Sequence, residues 1–132
     1  SRRSSIEGVG TIGSNGNTPR MIMEQPSFLG NPGLTIGMNL GLPHAPALFL
    51  LDGVANPAGA RILGANIYLG LSAGLVVVPY GALNDRGYGS LTVPVINDPN
   101  LRGVDIYGQW VVADSGLNGS LSATPYFKTR LF

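Results

Sequence analysis

An all-β fold is predicted, an antiparallel β-sandwich or jelly roll with an extended N-terminal arm, and three features of the sequence predict it. Apolar residues alternate with polar or small ones in several short runs, the period of a half-buried strand. Clusters of Gly, Pro, Asn and Asp punctuate those runs every 8 to 12 residues or so, the cadence of a sandwich. No run carries a helical apolar period, and 20 Gly and 10 Pro among 132 residues discourage long helices.

In chain order, residues 1–33 read as an arm. They are rich in Gly, Ser and Asn, open with Arg2 and Arg3, and hold scattered apolar residues: Ile6, Val9, Ile12, Met21, Ile22 and Met23. "RMIMEQP" (Arg20 to Pro26) forms a second extended piece of it. Residues 34–132 read as the sandwich domain. In "LTIGMNLGL", Leu34, Ile36, Met38, Leu40 and Leu42 face one way and Thr35, Gly37, Asn39 and Gly41 the other. "PHAP" breaks that strand, and "ALFLLDG" is a short continuous apolar run ending in a turn. "NIYLGLS" and "LVVVPYG" follow as strands, and "LNDRGYG" is turn chemistry. "SLTVPV" alternates again, with Leu91, Val93 and Val95 inward.

"NDPN" makes a corner, with Pro99 opening a turn or single helical turn capped by Asp98. In "GVDIYGQWVVAD", Trp110 shares parity with Val104, Ile106 and Val112 toward the core, while Asp105, Tyr107 and Gln109 point outward. A final strand spans Ser120 to Leu131. Leu121, Ala123, Phe127 and Leu131 face the core; Ser122, Thr124, Tyr126, Lys128 and Arg130 face out. Pro94 and Pro125 mark edges or bulges, because proline cannot donate to a ladder.

Composition narrows the function classes. Only 11% of residues are charged, against about 25% in a typical domain. Lys128 is the single lysine among eight basic residues. Low charge with arginine in place of lysine is the composition of surfaces that become interfaces. No basic stripe is present to neutralise phosphates, which argues against nucleic acid. Without cysteine there is neither a disulfide framework nor a thiolate metal site. Ser1, with no Met and no apolar leader before it, reads as the start of a processed chain or of one numbered from a mature start. Ile62 to Asn84 carries no charge and contains Gly70-x-x-x-Gly74, yet Pro79 and the β-branched Val76 to Val78 favour two strands around a turn over a membrane helix.

Motif matches weaken on inspection. "GVGTIG" (Gly8 to Gly13) fits a dinucleotide-binding pattern but neither follows a buried strand nor opens a helix. "GLSAG" (Gly70 to Gly74) fits a nucleophile elbow, but the only histidine, His44, lies upstream and the following residues read as strand, leaving Ser72 as a turn residue. One histidine cannot assemble a zinc site. Asp85, Asp98, Asp105 and Asp114 are too scattered for a calcium loop and read as turn caps. Asn118 opens a glycosylation pattern. No cofactor or metal is expected.

"APALFLLDG", "GSLTVPVINDPNLRGVDIYGQWVV" and "LSATPYFKTRL" together resemble a β-rich module of predicted secreted proteins of environmental bacteria, where it is typically C-terminal. The resemblance covers residues 34–132 and implies an extracellular or cell-surface β-sandwich without enzymatic activity.

The expected function is therefore a non-enzymatic, extracellular structural subunit that self-assembles into a filament or layer. Part of residues 1–30 would add as a strand to a neighbouring subunit's sheet edge; the sequence does not distinguish this from pairing in cis. Tyr68, Tyr107, Gln109 and Tyr126 are expected on an outer face, as contacts to a further copy. The alternative is a carbohydrate-binding or adhesive module that uses Tyr68, Tyr107 and Tyr126 to stack on surface glycans. A viral coat protein fits less well, since only Arg2 and Arg3 adjoin in the arm.

Overall fold

The alternation of "LTIGMN" becomes strand β3 (Leu34–Asn39), with Leu34, Ile36 and Met38 all fully buried. The computed structural model describes residues 4–23, 27–117 and 120–132; Arg2, Arg3, the end of "RMIMEQP" and the Asn118 pattern lie outside them. Two strands precede β3, β1 (Ser4–Glu7) and β2 (Arg20–Met23). After it come β4 (Pro46–Asp52), β5 (Ala55–Ile62), β6 (Ala65–Leu69), β7 (Val76–Ala82), β8 (Gly89–Val93), β9 (Asp105–Ala113), β10 (Leu121–Ala123) and β11 (Tyr126–Arg130). A single 3-10 turn, Pro99–Leu101, is capped by the Asp98 side chain, as the "NDPN" corner predicted. No helix among the described residues is long and apolar enough to cross a membrane.

These strands make an all-β, antiparallel sandwich. Its central sheet runs β1-β11-β9-β4-β7, with β10 also on β9. On one face lies the sheet β2-β3-β8 and on the other the hairpin β5-β6. Parity fixes which residues meet which layer, because neighbours along a strand point to opposite faces. Phe49, Trp110, Val112 and Phe127 pack with Leu34, Ile36 and Met38 in one core. Leu50 and Val111, their neighbours in sequence, pack with Ala65, Ile67 and Leu69 in a second.

Both faces of the central sheet are thus covered. That corrects the expectation of an open outer face on β9 and β11. Gln109 is fully buried, Tyr68 and Tyr126 are nearly so, and Tyr107 is half-buried. The parity assignment was sound, since Gln109 lies opposite Trp110; the hairpin covers that face.

Two further corrections come from local geometry. Leu40 leaves the β3 alternation, turning outward with a positive φ of 59°. The expected strand from Ser120 to Leu131 is broken at Pro125, and the alternation slips there by one residue. Ala123 therefore faces the second core and Phe127 the first, and Ser122 and Thr124 are buried rather than outward.

The arm divides in two. Met21 belongs to the main core, and β2 pairs with β3 in register Met21↔Met38, so this half is an integral strand. Ile22 is half-buried, and Met23 packs against the same core. Residues 4–17 instead run over the surface.

Candidate functional site

The second face of the central sheet gathers the predicted tyrosines into one cluster under the arm. Tyr68 projects from β6 onto the central sheet, and its ring stacks on Tyr126 at 5.2 Å with 26° between planes. Tyr107 lies tilted at 6.3 Å from Tyr126. Gly8 and Gly59 close over the Tyr68 ring, where an added Cβ would come to 3.1 Å from it. Both have positive φ (76° and 77°), a conformation that glycine adopts at little cost. A sugar ring has no access to these stacked faces.

Gln109 ties three elements together beneath them. Its Nε2 donates to the carbonyl oxygens of Asn66 and Thr124, each at 2.8 Å. Its Oε1 accepts from the Tyr68 N–H at 3.0 Å. The amide therefore joins β9 to the hairpin and to the bend that precedes β11.

The arm seats on this assembly through backbone and polar groups. β1 pairs antiparallel with β11, Ser5 opposite Lys128 and Ile6 opposite Phe127. The Tyr68 hydroxyl accepts from Val9 N–H at 3.2 Å and lies 3.1 Å from Val9 O, to which it donates. Thr11 N–H donates to Ala123 O at 2.8 Å, and Thr11 Oγ1 accepts from Asn66 N–H at 2.9 Å. Ser14 donates through both N–H and Oγ to the Asp114 carboxylate, at 2.8 and 2.6 Å. The arm's apolar side chains meanwhile point away: Ile6 is 49% exposed, Val9 70% and Ile12 55%.

Charge around the site is structural. Burial works against ionisation of Asp114, but bonds from the Ser14 side chain and the Ser14 and Gly116 amides outweigh it and hold the pKa below its ordinary value. Asp52 is likewise lowered, its burial overcome by Ser72, Val54 and Gly53 donors. The Arg130 hydrogen bond, against the opposing effect of burial and with help from the charges of Arg130 and Lys128, lowers Asp105. Burial, then the Glu7 charge and the neighbouring tyrosines, raises Tyr126.

The rejected motifs resolve into turns. Ser72 Oγ donates to Asp52 Oδ1 at 2.6 Å, joining the turn after β4 to the one after β6. Gly8 to Gly13 is the arm itself. Asp98 Oδ1 accepts from Asn100 N–H at 3.0 Å, an ordinary cap. Among the described residues, no three His, Cys, Asp or Glu side chains gather as a metal site would require.

Sequence reasoning missed the arm's polar anchors, Thr11 and Ser14. It also missed a pocket where "MNLG" meets "LNDRGYG", which it read only as a strand end and a turn. Family models and curated proteins were compared with the chain, and none matches it.

Proposed function

We propose that this chain is a non-enzymatic structural subunit that assembles with copies of itself outside the cell, through exchange of residues 4–13. One observation carries the reading: the arm is held by backbone and polar bonds while Ile6, Val9 and Ile12 face solvent. With so little apolar surface buried there, leaving the seat costs the arm few of the contacts that dominate folding.

Every group that holds the arm belongs to the body of the chain: β11, the Tyr68 hydroxyl, Ala123 O, Asn66 N–H and Asp114. Any second copy offers the same groups, so the seat serves in trans as well as in cis. The exposed turn at Ser14–Asn17 stays anchored to the body through Ser14 to Asp114 and Asn15 Nδ2 to Gly41 O at 3.2 Å, and residues 4–13 swing out from that fixed point. At the other edge of the central sheet, β7 carries Pro79 and faces a bulge in its pairing with β4, features that blunt an edge against strand addition. A head-to-tail contact at the arm edge builds an open filament when its rotation does not close a ring. The secreted-module resemblance of residues 34–132 supports the extracellular setting. The tyrosine stacking platform is not retained, because its rings cover one another.

The test uses the absence of native cysteine. A Ser5→Cys/Lys128→Cys chain, treated with a short bis-maleimide, is run on a denaturing gel beside light scattering and electron microscopy of the parent. A ladder of covalent oligomers, with filaments or layers in the micrographs, is expected. A single cross-linked monomer band with a monomeric scattering mass at the highest soluble concentration overturns the reading.

A further inference from the structure

A pocket of about 430 Å³ opens where the loop after β3 crosses the loop between β7 and β8, lined by Asn39, Leu40, Asn84, Arg86 and Tyr88. It lies apart from the tyrosine cluster.

The walls are fixed before any ligand arrives. Gly41 N–H donates to Gly87 O and His44 N–H to Asn84 O, each at 3.1 Å, so the two loops are bonded across. Asn84 Oδ1 accepts from both Arg86 N–H and Tyr88 N–H at 2.9 Å, setting the turn that presents those two side chains. Leu40 holds its positive φ at the rim. Such preorganisation is what a small-molecule site requires.

The lining chemistry is specific. Asn39 Oδ1 is buried without a hydrogen-bond partner, an acceptor in want of a donor. Arg86 is exposed, it is the one charged side chain in the lining, and its guanidinium makes no ion pair among the described residues. Tyr88 keeps 37% of its surface exposed at the same pocket. The accessible lining groups ask for an anion at Arg86 and a flat C–H face at Tyr88, and one class of molecule combines the two.

We propose that this pocket binds an acidic sugar. Its carboxylate pairs with Arg86 in the two-point geometry that a guanidinium favours, and its ring lies on Tyr88. The proposal does not depend on assembly, and a monomeric chain would bind equally.

Titration of the parent chain with trigalacturonate, followed by calorimetry or amide NMR, tests it. Saturable binding is expected. Arg86→Gln is expected to weaken it tenfold or more, while Arg102→Gln, an exposed arginine outside the pocket, leaves it unchanged. Galactotriose, the neutral counterpart, is expected to bind at least tenfold more weakly. Arg86 is exposed, so its replacement does not threaten folding. Absence of saturable binding, equal loss in Arg102→Gln, an unchanged Arg86→Gln affinity or equal binding of galactotriose overturns the proposal.

Discussion

Replacing Gln109 by leucine tests the layered architecture most directly. The two side chains are similar in size, so the perturbation is chemical: three buried hydrogen bonds disappear together. The Tyr68 N–H and the Asn66 and Thr124 carbonyls lose the partners they had at 3.0, 2.8 and 2.8 Å. A net contribution of about 1 kcal/mol per bond gives roughly 3 kcal/mol. Stranding the buried N–H adds about 1–3 kcal/mol, and the added apolar surface of leucine offsets about 1–2 kcal/mol. The expected loss is about 2–5 kcal/mol, a large share of the 5–15 kcal/mol or so that holds a domain together.

Urea unfolding followed by the fluorescence of Trp110, the only tryptophan, reads this loss. A melting scan should show the midpoint falling by about 7–20 °C for a chain of this size. Gln109→Glu should be worse than Gln109→Leu, because a carboxylate presents oxygen to the two carbonyls and places a charge at a fully buried position. Losses below about 1 kcal/mol for both variants would refute the reasoning, since side chains pointing into solvent give that result.

Three further outcomes follow from the arm and its anchors. Tyr68→Phe keeps the stacked ring but removes both bonds to Val9, so amide exchange of residues 4–13 should rise several-fold while the body's melting changes little. Gly8→Ala should release the arm more strongly, at a cost of roughly 1–2 kcal/mol for the positive φ, because its Cβ would also crowd Tyr68 and Tyr126 at 3.1 and 3.2 Å. Asp114 and Asp52 have folded-state pKa values below the ordinary 3.8, so their contribution is complete above that value and is lost as pH falls through the depressed folded values. Urea midpoints across that range should show Asp114→Asn less stable than the parent at neutral pH, with the gap closing in acid.

Much of the fold was legible because alternation is a direct consequence of strand geometry. Leu34, Ile36 and Met38 face the main core as their spacing required, and the prolines at 94 and 125 stand at strand ends. The third layer was not read, although a signal for it was present. "ALFLLD" and "WVV" are continuous apolar runs, and a strand buried on both faces has no reason to alternate. Phe49 and Leu50 enter different cores, as do Trp110 and Val111. Continuous runs on two adjacent strands imply a cover on each side, and "GARILGANIYL" supplies the hairpin that makes the second one.

The site was less legible for a physical reason. Tyr68, Gln109 and Tyr126 were placed on the right face, but whether a face meets water depends on a distant segment that single-strand periodicity does not encode. Proline geometry compounds this at the C-terminal strand. The slip at Pro125 lets Tyr126 share a face with Ala123 although an even number of strand steps does not separate them, so unbroken parity sends Tyr126 and Ala123 to opposite sides. The arm shows the converse case. Ile6, Val9 and Ile12 look like residues in search of a core, yet the bonds that hold them come from Tyr68, Asn66, Ala123 and Asp114, groups with no apolar signature. Polar seating leaves nothing in single-strand periodicity to tell such a surface segment from a strand in search of a core.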